Sequence, residues 1–151
     1  MAKVVAVNIS QHKGTFKYPV PLGHATVDHG LAGDAHAGNW HRQISLLAQE
    51  SIDKMTALGV SDLTPGKFAE NITTSGIELH TLPVGTRLRI GECLAEVTQI
   101  GKECHSHCQI YHKMGDCIMP REGVFARVLH GGTISVGDEM TAIPPAADAP
   151  L

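Results

Sequence analysis

The sequence has no basic stripe and no long apolar run. Its 12 Lys and Arg stand against 15 Asp and Glu, a formal net charge of −3. The basic residues are scattered, not gathered into an arm or face that would neutralise a phosphate backbone, so nucleic acid is not an expected partner. Near the N-terminus the only apolar run is Val4 to Ile9. It is shorter than the apolar centre of a signal peptide and far short of the roughly 20 residues that span a bilayer. No membrane partner is expected, and the expected location is cytoplasmic. Aromatic residues are also few, at 4% of the chain. A length of 151 residues leaves room for one domain with a real core, burying roughly 68–70% of the unfolded surface, whereas two full domains would be cramped.

What is present is a succession of short apolar runs fenced by glycine and proline, a pattern of strands joined by turns and not of a helical bundle. Lys3 to Ser10 reads as a first strand, with Val5 and Val7 on one face and Val4, Ala6 and Asn8 on the other. Gly14 through Ala37 reads as an irregular surface loop, of a length that often carries function. Arg42 to Leu47 starts as a strand. A helix follows from Gln49 to Leu58, with Ile52, Met55 and Leu58 at intervals of three and Gly59 placed to stop it. Phe68 to Thr74, Thr86 to Ile90, Leu94 to Ile100, Val124 to Leu129 and Thr133 to Val136 are each of strand length. The expected fold is mainly β, a closed or partly open β-barrel of about seven or more short strands with one or two short helices. Ala142 to Leu151, rich in alanine and proline, reads as a frayed end; the domain is placed at residues 1–143 and a flexible tail at 144–151.

Three groups of residues bear reactive side chains. The first is Gly33-Asp34-Ala35-His36-Ala37-Gly38 with His41-Arg42-Gln43 after it. In an extended segment Asp34 and His36 point the same way. A carboxylate beside an imidazole fixes its tautomer, raises its basicity or helps it bind a metal, and Arg42 can clamp a phosphate or carboxylate through two hydrogen bonds. The same residues also make an ordinary turn in which Asp34 caps backbone amides and the histidines face solvent. The second group is Phe68-Ala69-Glu70-Asn71-Ile72-Thr73-Thr74, where Glu70 and Asn71 interrupt a strand-like stretch. One of them must face inward or sit at a barrel mouth, and a buried amide needs partners, so it either ties down a neighbouring loop or faces a ligand.

The third group is Gly101-Lys102-Glu103-Cys104-His105-Ser106-His107-Cys108, with His112 and Cys117 close behind. Four cysteines in a reducing compartment point to metal, redox or nucleophilic roles and not to disulfides; Cys93 stands apart from the other three. A thiol near a lysine and two histidines has a stabilised thiolate, the form that attacks sulfur or carbon and binds soft metals. An unperturbed cysteine, with a pKa of about 8.5, is only roughly 3% ionised at pH 7, so lowering that value by about 1.5 units raises the reactive fraction roughly tenfold or more. A structural zinc site of Cys104, Cys108, Cys117 and one histidine is chemically sound, although the Cys-x3-Cys-x8-Cys spacing matches no common zinc knuckle. Buried, inert cysteines are the third reading.

Taken in chain order, Gly33 to Gly38, Arg42-Gln43, Phe68-Ala69-Glu70-Asn71-Ile72, Thr98-Gln99-Ile100-Gly101-Lys102-Glu103-Cys104, and Gly123-Val124-Phe125-Ala126-Arg127-Val128 through Gly131-Gly132 to Gly137-Asp138 resemble the MOSC family. Each piece alone is weak; in this order, over nearly the whole chain, they are specific. The family is named for the C-terminal domain of molybdenum cofactor sulfurases. The resemblance, to the small stand-alone type, implies a β-barrel that binds the molybdopterin cofactor or carries sulfur, with the cysteine after the glycine-lysine step, Cys104, as the functional thiol.

Two mechanisms are implied. As a sulfur carrier, the Cys104 thiolate accepts sulfane sulfur as a persulfide and passes it on, with Lys102 or His36 holding charge and Asp34 behind His36 in the catalytic set. As a metal ligand, Cys104 binds molybdenum while Arg42, Lys102 and Arg127 hold the anionic pterin phosphate, Asn71 being the other cofactor-binding residue. The activity would be of the sulfurtransferase or cofactor-sulfurase kind. Pyridoxal phosphate is not expected, because the desulfurase portion of full-length sulfurases is lacking here, and any reduction would need a partner. Cys108 and Cys117 join Cys104 as candidate metal ligands. They keep open a metal-dependent cleavage of a carbon–sulfur bond in a small thiol compound, with zinc as the alternative metal, beside a non-catalytic cofactor-binding module and a structural zinc protein. The expected partners are a small cofactor or sulfur compound and a cysteine desulfurase or molybdoenzyme.

Overall fold

A computed structural model of the chain describes residues 2–13, 15–59, 63–101 and 122–145. β1 (Lys3–Ile9) begins the larger sheet. Simple alternation would put Val5 and Val7 on one face, but a bulge between Val4 and Ala6 in the pairing with β6 (Ile72–Ser75) shifts the parity. Val4 and Val7 both enter the main core, and Val5 is half-buried. The extra residue of a bulge turns the strand, so faces assigned by strict period two fail across it.

β5 (Ile44–Ala48) is buried along its whole length. Ile44 and Leu46 join the main core; Leu47 joins a smaller cluster with Ile52, Met55, Phe68 and Phe125 on the opposite face. β5 pairs with β6 in parallel, which requires a crossover, and α1 (Gln49–Ala57) supplies it. Leu58, expected on the buried stripe with Ile52 and Met55, is 73% exposed because the helix has already ended at Ala57. The stretch from Phe68 is strand only from Ile72 onward. Before it lies a tight turn in which Ala69 takes a positive φ of 64°.

The segment read as an irregular surface loop instead holds β2 (Tyr18–Val20), β3 (Leu22–Thr26) and β4 (Gly30–Leu31), and it buries Lys17, Ala25, Leu31 and Asp34. These strands are two to five residues long: β2 pairs with β1, β4 with β3, and β3 also with the distant β10 (Gly132–Ser135), and strands this short carry too little apolar alternation to announce themselves. The C-terminal run is likewise corrected at its start, since Ala142 lies in β11 (Met140–Ile143), paired with β7 (Arg87–Ile90).

With β8 (Cys93–Ile100) and β9 (Val124–His130), the larger sheet runs β11-β7-β8-β9-β5-β6-β1-β2, while β10-β3-β4 form a second, three-stranded sheet. The larger sheet curls back on itself. Lys3 bridges Glu139, the N–H of Val4 donates to Asp138 O at 2.8 Å, and the N–H of Met140 donates to Ala2 O at 2.9 Å, joining the start of β1 to the lead into β11. The architecture is a partly open, barrel-like β fold whose interior holds Val7, Ile44, Leu46, Ile72, Leu88, Val97 and Ala126. Residues of β5 and β9 that point away from that interior, Ser45 and Phe125, are register partners. The site lies on that outer side.

Candidate functional site

Lys17 and Asp34 form its buried foundation. The Lys17 ammonium lies 2.7 Å from Asp34 Oδ1, and both side chains are fully buried. Ser10 N–H donates to the same oxygen at 3.1 Å, and Asp34 Oδ2 accepts the backbone N–H of His36 at 3.1 Å. Burial by itself pushes the Asp34 carboxyl up. The Lys17 hydrogen bond and charge, helped by the Ser10 amide, outweigh it and hold the carboxyl below its ordinary value. Lys17 Nζ also sits 3.1 Å from Ser10 Oγ and 3.0 Å from His36 Nδ1. Asp34 thus reaches His36 through the backbone and through Lys17, not through the ring.

What brings Lys17 inside is a close approach of backbones. Its N–H donates to Gly66 O at 2.9 Å, and a Cβ on Gly66 would lie 2.2 Å from Lys17 O. Gly66, at φ +90°, opens the turn that ends in Ala69. Glu70 organises that turn: its carboxylate accepts from Gly66 N–H at 3.0 Å, Phe68 N–H at 3.3 Å and Thr73 Oγ1 at 2.7 Å. It is wholly buried, and desolvation raises its pKa despite these donors. Asn71 ties three strands together. Its Oδ1 accepts from Ser45 N–H at 2.9 Å, and its Nδ2 donates to Asn8 O at 3.1 Å. Both polar residues of the second group therefore face inward and fasten backbone, and Asn71 holds the pocket-lining Ser45 in place.

Above this floor is a pocket of about 290 Å³, lined by His36, Trp40, Arg42, Ser45, Ala69 and Phe125, with Lys13 and Phe68 completing it. Among the described residues its walls carry cationic side chains and no carboxylate. The Arg42 guanidinium carbon is 4.6 Å from the centre of the Trp40 ring and 5.5 Å from that of Phe125, a cation held between two aromatic faces. Trp40 is itself anchored, its Nε1–H donating to His36 O at 2.9 Å. Arg42 Nε is buried without a hydrogen-bond partner among the described residues.

The end of β8 bonds to His41, which precedes the pocket-lining Arg42 in the chain, and to the pocket-lining Phe125. His41 Nε2 and Gln99 Oε1 are 2.8 Å apart, Thr98 Oγ1 donates to Phe125 O at 3.2 Å and also bonds His41 O, and Gly101 N–H donates to Gly123 O.

Of the residues the sequence singled out, the fold brings Asp34, His36 and Arg42 together, with Asn71 directly behind. Arg127 is on β9 but pairs with Glu96 across the sheet, at 2.9 Å from Nε and 2.8 Å from Nη2, and does not line the pocket. Lys102, Cys104, Cys108 and Cys117, with His105, His107 and His112, lie outside the described residues. Among the described residues no group of three or more His, Cys, Asp or Glu is placed to hold a metal ion. Cys93 is buried in the core and its thiol is pushed up to about 11 by burial, against the opposing charge of Arg89, so it is inert. Sequence reasoning missed Lys17, Trp40, Ser45 and Phe125. A lone lysine between Phe16 and Tyr18 carries no local signal of burial.

Solved structures share this architecture. The YUAD protein from Bacillus subtilis superposes with a TM-score of 0.78 over 93% of this chain and 94% of that one, at 19% identity. YiiM from Geobacillus stearothermophilus gives 0.74 over 99% of this chain and 78% of that one, also at 19% identity. YiiM from Escherichia coli gives 0.70 over 95% and 70%, again at 19%. At these identities the likeness is one of fold. No curated protein matches the chain. The family model for the MOSC domain matches residues 33–141, from the Gly33-Asp34 turn through β11, and the chain belongs to the MOSC domain family, which is associated with molybdenum-cofactor-related sulfur chemistry.

Proposed function

We propose that the Trp40–Arg42–Phe125 pocket binds an anionic small molecule of molybdenum-cofactor metabolism, the pterin cofactor or the sulfur compound destined for it, and that Cys104 is the working thiolate. The observation that carries this reading is Arg42. A guanidinium stacked between two rings, with a buried N–H that lacks a partner among the described residues, is ready to meet a phosphate or another oxyanion, and the described walls hold no carboxylate to compete for it.

The residues present suit the cofactor. Arg42, held in place by the Trp40 and Phe125 rings, and Lys13 would hold its phosphate, and His36 and Ser45 offer polar contacts. When bound, the cofactor supplies a redox-active metal with exchangeable sulfur and oxygen ligands. The protein's own part is to bind and orient the anion, to position His36 through the Lys17–Asp34 pair, and to present a thiolate. Cys104 follows Gly101 by three residues, and Gly101, just past β8, donates its N–H to the carbonyl of Gly123, two residues before the pocket-lining Phe125.

The test compares the full chain with Arg42→Ala and Cys104→Ala. Protein purified from cells making the cofactor is assayed for pterin and molybdenum, and after exposure to a cysteine desulfurase it is mapped by mass spectrometry for persulfide. Arg42→Ala is expected to lose bound pterin by tenfold or more, the effect of removing a charged hydrogen-bond donor. Cys104→Ala is expected to lose persulfide or metal. Unchanged pterin, metal and persulfide in both variants would refute the proposal, and stoichiometric zinc with no pterin would favour the carbon–sulfur-cleaving alternative.

A further inference from the structure

The chemistry of His36 is decided by a neighbour that the sequence does not place beside it. An ammonium has three hydrogens to donate and no lone pair to accept with. Among the described residues, three acceptors surround Lys17 Nζ: Asp34 Oδ1 at 2.7 Å, Ser10 Oγ at 3.1 Å and His36 Nδ1 at 3.0 Å. The carboxylate keeps the lysine charged, and its side chain is sealed from solvent. Nδ1 must then accept. A ring nitrogen that accepts carries no proton, so a neutral imidazole in this position carries its hydrogen on Nε2. The opposite tautomer would aim one donor at another.

The ring is also held by its backbone on both sides. Asp34 Oδ2 takes the His36 N–H, and the Trp40 indole donates to the His36 carbonyl. Placing a proton on Nδ1 would require the Lys17 ammonium to leave, and that ammonium is held by Asp34 Oδ1 and Ser10 Oγ.

We propose that Lys17, anchored by Asp34, is a positioning residue that fixes His36 as the Nε2–H tautomer, so that His36 meets the pocket's guest as a hydrogen-bond donor to negative charge and not as a base. The donor role rests on the anion-binding reading above; the tautomer does not. A donor in that position complements Arg42 and Lys13, the cationic side chains of the same pocket. The Asp-x-His spacing therefore works in an unexpected way. The carboxylate orients a lysine, and the lysine orients the imidazole.

Nitrogen NMR of the uniformly ¹⁵N-labelled full chain tests this, with the His36 ring signals identified by their loss in His36→Gln. The expected spectrum has a pyridine-like Nδ1 and a pyrrole-like Nε2. A pyrrole-like Nδ1, or two averaged nitrogens, would overturn the assignment in the wild-type protein without any variant. Lys17→Met is expected to convert the pattern to an averaged one; persistence of the wild-type pattern would remove Lys17 from the argument. Titration with inorganic phosphate then reads the donor role. His36→Gln, which retains an N–H donor at the end of the side chain, should keep most of the wild-type affinity, whereas His36→Leu should lose roughly tenfold. Equal losses in the two variants would refute the donor role. Failure of the wild-type protein to bind phosphate would refute the anion pocket and the donor role together, while the ring spectrum still decides the tautomer.

Discussion

Replacing Lys17 by Met probes the foundation of the site. The substitution keeps most of the aliphatic volume and removes one charge, leaving the Asp34 carboxylate with two backbone donors, Ser10 N–H and His36 N–H, and the Asn71 side chain, in a fully buried setting. Breaking a buried ion pair by removing one partner costs about 3–5 kcal/mol, because the remaining charge is neither solvated nor compensated. For a domain of this size, that is a large share of a total stability of order 10 kcal/mol, and the variant should still fold at 25 °C. With a urea slope of about 2 kcal/mol/M, the unfolding midpoint should fall by roughly 1.5–2.5 M at pH 7.

The pH dependence gives a second handle on the same pair. The Asp34 carboxyl lies below its ordinary value in the folded wild-type protein. Its contribution to stability is therefore complete above the unfolded value of about 4 and is lost as pH falls through the lower, folded value. In Lys17→Met the ammonium is gone and burial dominates, so protonation relieves the variant where it harms the wild type. The gap between the two midpoints should be widest near neutral pH and should narrow towards pH 4. Adding Asp34→Asn to Lys17→Met should recover part of the loss. A midpoint shift below about 0.5 M at pH 7, or a gap that stays constant with pH, would refute the view that the pair is buried and charged.

Gly66→Ala should destabilise the protein by about 2–4 kcal/mol in urea denaturation, because the added Cβ meets the Lys17 carbonyl and the residue sits at positive φ; a loss under about 1 kcal/mol would mean that the close approach is not maintained. Glu70 behaves oppositely to Asp34. Its raised pKa means that folding favours the neutral form more than the unfolded chain does, so the stability of the wild-type protein relative to Glu70→Gln should decrease as pH rises through the folded value, measured as the midpoint difference between pH 4.5 and pH 8. Cys93 should resist iodoacetamide in the native protein at pH 8 and react on unfolding, as read by site-resolved mass spectrometry; rapid native labelling would contradict its burial and its thiol near 11.

Residue patterns reached far into this protein where the determining interactions are local. The helix from Gln49 and the strands at Thr86, Leu94, Val124 and Thr133 are visible because their apolar spacing and flanking turn residues act within a few positions. The mainly β, barrel-like class follows from their number, and the ordered motifs identify the family. Asp34, His36 and Arg42 were legible as a group because they are near neighbours in the chain.

The tertiary structure decided what those residues do. β3 is held by the distant β10, with β2 and β4 as short partners of their chain neighbours β1 and β3, and the face assignment of β1 depends on a bulge that alternation cannot reveal. Lys17 is inside because Gly66, 49 positions later, lets two backbones touch, and only that contact sets an ammonium between Asp34 and the His36 ring. Likewise Phe125 becomes one wall of the Arg42 sandwich through the antiparallel register of β5 and β9. The sequence by itself determined which chemical groups are available and the family of folds that carries them. Their partners, and with them the tautomer, the buried charge pair and the anion-facing guanidinium, were decided by contacts between segments far apart in the chain, where no local periodicity operates.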